Sequence, residues 1–298
     1  MAPLTFGAVS CLKQGFPLDT LSHASQRTDL DAFLFLGDTV YADGAKDLEG
    51  FRQKWSQAIA HPAHRALRSS VSAVTTWDDH ELFNNWDADQ LPRDGLFAGV
   101  QAFHEFQCVR PGQRLWRSLE WGATAEVFVL DCRGERRPST QHYISDEQMA
   151  WLKEGLAKST AAFKVILNSV PISNFPGAFF DTTTDDRWQG YPKQREEILR
   201  SVEDANVRGV LWVAGDFHLA SMGRVSQQGP GSSAIEVLVG PGGRLPNASP
   251  SYPAPPQFDW ATGINNYATL ALDPATVSVE VKYFDGNGRV LTQKTYSL

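Results

Sequence analysis

Short apolar runs recur along the chain, and most of them stop abruptly in residues capable of chemistry. Leu4 to Val9 leads into Ser10-Cys11, Ala32 to Leu36 into Gly37-Asp38, and Val71 to Thr76 into Trp77-Asp78-Asp79-His80. Glu126 to Leu130 leads into Asp131-Cys132-Arg133, Lys164 to Leu167 into Asn168, and Val210 to Ala214 into Gly215-Asp216-Phe217-His218. These runs are rich in Val, Leu, Ile and Phe and too short for typical helices, so they predict buried strands.

Helical spacing appears between them. Leu48, Phe51, Trp55, Ala58 and Ile59 share one helical face, as do Phe97, Val100 and Phe103 within Gly95 to Cys108. Ser145-Asp146-Glu147-Gln148 reads as a capping box before the stripe Met149, Leu152, Leu156, and Lys193 to Ala205 carries Ile198, Leu199 and Val202. Strands alternating with helices predict an α/β fold. Beyond them, Ile235 to Gly240, Tyr267 to Leu272, Val277 to Phe284 and Arg289 to Tyr296 read as strands with no helix between, and Asp285-Gly286-Asn287-Gly288 as a hairpin turn. A proline-rich stretch with Pro246, Pro250, Pro253, Pro255 and Pro256 predicts a flap over residues 243–262. No repeat or linker divides the chain, so residues 1–298 are expected to form a single domain.

Composition narrows the function classes. With 42% hydrophobic and 20% charged residues, the chain matches a globular protein with a sizeable core. A net charge of −7 without a Lys/Arg stripe argues against a grip on a nucleic-acid backbone. Cys11, Cys108 and Cys132 are far apart and odd in number, so a disulfide framework is not expected. No run approaches the roughly 18 apolar residues of a membrane span. The first residues lack signal-peptide features, which predicts a cytoplasmic protein, or an exported one if a leader has been removed.

In open α/β sheets, ligands gather beyond the carboxyl ends of the strands. Convergence there would crowd Cys11, Asp38, Asp79, His80, Asp131, Asn168, Asp216 and His218 into one crevice. Packed carboxylates repel and resist ionisation, a conflict that a bound multivalent cation removes. Asp216 and His218 are expected to point the same way from extended chain and so to serve adjacent ions. Taken singly, Cys11 reads as a buried thiol and Tyr41 as a core cap, whereas the acids and imidazole of Trp77 to Glu81 would repel or desolvate badly without a function, a solvated helix start being the alternative.

Together, the stretches Ser10-Cys11, Leu36 to Tyr41, Trp77 to Glu81 with Asn84-Asn85-Trp86, Leu130 to Arg133, Asp186 to Tyr191 and Gly215 to His218 resemble the PhoD-like alkaline phosphatases and phosphodiesterases of the calcineurin-like metallophosphatase superfamily. They follow the family's order and span nearly the whole chain. The family has Thr where this chain has Cys132, and no counterpart of the family's amino-terminal β-domain or shielding carboxy-terminal helix is expected within these residues. The site is therefore expected to be more open.

The resemblance implies two β-sheets in a sandwich flanked by helices, and hydrolysis of phosphate monoesters or diesters. A dedicated phosphodiesterase or phospholipase-type enzyme is the alternative, and a non-catalytic metal-binding protein the other. It further implies Asp38 as a carboxylate bridging two metals and Cys11, Tyr41 and His218 as ligands of one ion, Fe(III), with zinc open on ligand type alone. Asp216 and Asn85 would hold a second, harder ion such as Ca²⁺, with Mg²⁺ or Mn²⁺ as options. Asn84 and Asp79 are the alternatives to Asn85. His80 is expected to act on the transition state or leaving group. Arg133 is expected either to hold phosphate oxygens or to pair with Asp131. Trp188 and Tyr191 are expected to line the pocket or to pack a loop.

Overall fold

A computed structural model describes the chain except residues 91–92, 108, 111–113, 176–183 and 247–255. Cys108 and the middle of the expected flap thus lie outside the described residues. In chain order the strands are β1 Leu4–Val9, β2 Ala32–Leu36, β3 Ala73–Thr76, β4 Arg117–Trp121, β5 Ala125–Val129, β6 Phe163–Asn168, β7 Val210–Ala214, β8 Ala220–Arg224, β9 Ile235–Leu238, β10 Phe258–Thr262, β11 Tyr267–Asp273, β12 Ser278–Phe284 and β13 Val290–Ser297. The helices are α1 Asp19–Ala24, α2 Leu48–Ile59, α3 Pro62–Ser70, α4 Arg93–Phe106, α5 Asp146–Lys158 and α6 Pro192–Asp204.

The strands form two sheets, ordered β13-β12-β11-β1-β2-β3 and β10-β8-β9-β7-β6-β5-β4. Strand alternation assigns each side chain to a face. Phe6, Ala8, Leu34 and Leu36 turn inward from the first sheet to meet Val127, Val129, Val165, Leu167, Leu211 and Val213 of the second. Phe33 and Phe35 turn outward onto Leu21 and Leu67 of α1 and α3. Phe128, Ile166 and Trp212 of the second sheet turn outward onto Leu152 and Ile198 of α5 and α6. The parallel strands are buried on both faces, which is why they read as unbroken apolar runs. The result is the expected sandwich flanked by helices. The Tyr283 hydroxyl links its two sheets, donating to the carbonyls of Ser221 (2.7 Å) and Leu238 (2.9 Å).

Three strands escaped the sequence reading. β4 and β10 are polar edge strands, and β8, Ala-Ser-Met-Gly-Arg, is built from small residues. Gly223 of β8 is required: a Cβ there would lie 2.4 Å from the Gln257 carbonyl oxygen of the neighbouring chain. Phe258–Thr262, expected within the flap, is instead β10, paired antiparallel with β8. Helices α1 and α3 were also unforeseen; α1 spans six residues, and α3 begins with Pro62 after the capping His61. The cap before α5 is half as expected: Ser145 Oγ accepts from the Gln148 N–H (3.1 Å), but the Gln148 side chain turns to the backbone of Asp131. No helix among the described residues is long and apolar enough to cross a membrane.

Candidate metal centre

The chain leaves each parallel strand in a sharp turn at one end of the sandwich. Cys11 follows β1, Asp38 and Tyr41 follow β2, Asp78 to Glu81 follow β3, and Asp216 and His218 follow β7. Four of these residues, and Asn85 beyond them, hold an uncommon left-handed backbone: Cys11 (φ 58°), Asp38 (54°), Asn85 (58°), Asp216 (66°) and His218 (46°). Such strain persists where surrounding structure over-determines it, and it collects at functional sites. It also corrects the extended geometry expected for Asp216 and His218, whose side chains are aimed by turns rather than by strand alternation. Gly37 lets two of the turns touch, since a Cβ there would lie 2.4 Å from Asp78 Cβ.

Glu81 binds these turns together. Its buried carboxylate accepts from the backbone N–H groups of Asp38 (3.0 Å), Thr39 (2.6 Å) and Asp78 (2.8 Å). Glu81→Ala leaves three buried donors unpaired, so unfolding free energy should fall by about 3 kcal/mol. Denaturant unfolding of the variant checks this.

The expected ligands converge. One atom each of Cys11, Asp38 and His218 lies within 4.8 Å of the others, and the same holds for Asp38, Asp79 and His80, and for Asp78, Asp79 and Asp216. Asp38 is common to the first two groups and Asp79 to the last two. The Tyr41 hydroxyl donates to Asp38 Oδ2 (2.8 Å) and lies 3.2 Å from His218 Nε2. Asn85 reaches the cluster through its backbone, donating its N–H to Asp79 Oδ2 (2.7 Å). It also lines a separate cavity of about 400 Å³ with Asp87 and Arg136.

Burial, with the neighbouring acids, pushes Asp216 well above the usual carboxylate range and Asp79 up to about 8. Burial likewise raises the Cys11 thiol and Tyr41 phenol, and Asp38 adds to both shifts. Asp38 itself is raised by burial, but His80, His218 and Tyr41 outweigh this and hold it low. Such a thiol, phenol and carboxylate set can all shed protons together only beside concentrated positive charge. The donors therefore fit multivalent metal ions.

His80 stands at the rim. Its Nδ1 lies 2.8 Å from Asp43 Oδ2, and its Nε2 is 3.1 Å from Arg244 Nη1. Burial lowers the imidazole pKa, but Asp38, Asp43 and Asp79 together lift it to about 9. While the ring is protonated, as that shift favours, Nε2 and the Arg244 guanidinium face each other as two donors, and Arg244 can donate to Nε2 only when the ring is neutral. Neither Asp43 nor Arg244 was singled out in the sequence. Nothing local marks them, since Arg244 arrives from a loop 164 residues away.

Three expectations change. Arg133 is fully buried, with its guanidinium bonded to Asp78 (2.6 Å from Nε) and to Asp186. It serves as the counter-ion of buried acids rather than presenting donors outward, and only its backbone N–H reaches Asp131 (3.2 Å). Trp188 and Tyr191 pack in the core with Tyr143 rather than lining the site. Two strand-end residues are structural as well. Asp131 accepts from the Trp77 indole (2.7 Å), and Asn168 accepts from Cys132 Sγ (3.1 Å) and the Trp188 indole (3.0 Å).

The sequence profile described as PhoD-like phosphatase matches residues 6–247. Alkaline phosphatase D of Bacillus subtilis (strain 168) is 26% identical over a match covering 72% of this chain and 46% of that protein. The chain therefore spans about half the length of that relative. Among solved structures, PhoD superposes with a TM-score of 0.79 at 19% identity, covering 98% of this chain and 72% of that one. A purple acid phosphatase from seeds of yellow lupin (Lupinus luteus) superposes with a TM-score of 0.75 at 17% identity, covering 99% and 54%. At these identities the two structures speak for the fold.

Proposed function

The chain belongs to the PhoD-like phosphatase family, and from that premise we propose that residues 1–298 act as a single metal-dependent hydrolase domain for small phosphate esters. The observation that carries this reading is the position of Asp38, whose carboxylate belongs both to the group with Cys11 and His218 and to the group with Asp79 and His80. A carboxylate shared in this way suits a pair of adjacent ions.

Cys11, Tyr41 and His218, with Asp38, would hold one ion. Thiolate and phenolate donors together favour Fe(III). Asp38, Asp216 and Asn85, or Asp79 in place of Asn85, would hold the other. Their oxygen donors suit Ca²⁺, Mg²⁺ or Mn²⁺. Bound there, the ions supply Lewis-acid polarisation of the phosphoryl group and activation of water. The protein's own groups do the rest. Glu81 keeps the turns bearing Asp38 and Asp78 in register. Asp43 orients His80 through Nδ1, leaving Nε2 to exchange a proton with the oxygen of the departing alcohol.

Protein purified without chelator should contain close to one iron and one or two hard divalent ions per chain, with a visible tyrosinate-to-iron charge-transfer band. Elemental analysis and an absorption spectrum check this. Colourless protein containing only zinc overturns the iron assignment. Absence of stoichiometric metal together with absence of phosphoesterase activity overturns the reading itself.

A further inference from the structure

Arg244 is placed at the rim by backbone pairing rather than by its own side chain. The loop before it is tied to the Cys11 turn, with Gly242 N–H donating to the Ser10 carbonyl (2.9 Å), Gly243 N–H to the Cys11 carbonyl (3.1 Å) and Lys13 N–H to the Gly243 carbonyl (3.1 Å). From there the guanidinium lies 4.6 Å from the centre of the Tyr41 ring and donates to His80 Nε2 at 3.1 Å. Its situation differs from that of the other arginines around the centre. Arg133 and Arg136 are buried against Asp78 and Asp186. Arg244 is half-buried, and among the described residues it forms no direct ion pair with a carboxylate, although Tyr41 and Asp38 lie near enough to favour its charge. A guanidinium resting on an aromatic face and beside an imidazole lacks the paired oxygens that a phosphate offers it bidentately.

Resting on the phosphoesterase reading above, we propose that Arg244 is a specificity-determining clamp for the terminal phosphate of monoesters, parked on His80 and Tyr41 until substrate arrives. Transfer of the guanidinium to a phosphoryl oxygen uncovers His80 Nε2, so clamping of the substrate and release of the proton-handling nitrogen are one event. The clamp discriminates by charge. A monoester presents a dianion with free terminal oxygens, whereas a diester presents a monoanion and replaces one of those oxygens with an alkoxy group. The monoester therefore gains more from a cation that no carboxylate contacts directly.

The test compares para-nitrophenyl phosphate with methyl para-nitrophenyl phosphate, which share a leaving group but differ in phosphoryl charge. Arg244→Gln should lower kcat/KM for the monoester about 10- to 100-fold, the loss expected for one charge-assisted hydrogen bond, and change the diester little. Arg244→Lys should recover part of the monoester activity. Calorimetry on the metal-loaded protein should show inorganic phosphate binding weakened by the glutamine variant and dimethyl phosphate binding unaffected. The melting temperature and metal content should match those of the wild type. Equal losses on both esters, or no loss on either, overturn the clamp while leaving the phosphoesterase reading in place. A wild-type protein that hydrolyses neither ester overturns both.

Discussion

Asp38→Asn is expected to reduce phosphoester turnover to background. The side chain is buried, accepts the Tyr41 hydroxyl at 2.8 Å and the His80 backbone N–H at 3.3 Å, and belongs to two ligand groups at once. Asparagine preserves the shape but removes the charge that two neighbouring cations would share, and its amide nitrogen brings a donor into a place lined by donors. Metal content should fall at both positions, and with it the several kcal/mol of transition-state stabilisation that such ions supply. Chelation of the wild type should reproduce the loss, and readdition of the divalent ion should reverse it. The metal-free variant should remain folded, because one negative charge has left a crowded set of buried acids. The measurements are kcat, elemental analysis and thermal melting of the variant beside the chelated wild type. A chelated protein free of metal yet fully active would refute the metal-dependent mechanism.

His80→Ala should be the second most damaging change, lowering kcat far more than metal content. Positioned acid–base groups contribute about 10²- to 10⁴-fold. The Asp43 contact at 2.8 Å orients the ring, and Nε2 is the nitrogen at the rim. The informative comparison uses two monoesters with the same phosphoryl group, one leaving as an activated phenol and one as an alkyl alcohol. If His80 protonates the departing oxygen, the alkyl ester loses much more, since a phenol of low pKa needs little help. Equal losses would assign His80 to charge stabilisation of the phosphoryl oxygens instead. Unchanged rates on both substrates, with metal retained, would make His80 a structural residue. Asp43→Asn should follow His80→Ala in direction with a smaller loss, because it disturbs the orientation of the ring without removing it.

The fold and the chemistry were legible to different depths. The central strands β1, β2, β5, β6 and β7 were visible because burial on both faces forces a continuous apolar run, and each run ends where the chain leaves the sheet in polar residues. Cys11, Asp38, Tyr41, His80, Asp216 and His218 were visible as candidates because they stand at or just beyond those ends. Their roles came from the resemblance. The edge strands β4 and β10 were not visible, since half-solvated strands carry polar residues that a search for apolar runs passes over.

What only the tertiary structure decided is which polar groups meet. Arg133 was marked by its motif and Arg244 by nothing local, yet the first is consumed by Asp78 and Asp186 while the second overhangs Tyr41 with no direct carboxylate partner. Trp188 and Tyr191 lie in a stretch that resembles the family's motif, but packing against Tyr143 places them in the core. The left-handed turns that aim Asp216 and His218 use residue types that tolerate that conformation, but nothing local required it there. By itself the sequence determined the central strands, through continuous apolar runs, and the set of residues that emerge at their ends, because both depend on neighbours a few positions apart. The pairing of Asp43 with His80, the closure of Glu81 over three backbone N–H groups and the parking of Arg244 depend on contacts between segments tens to hundreds of residues apart, and those exist only once the two sheets have packed.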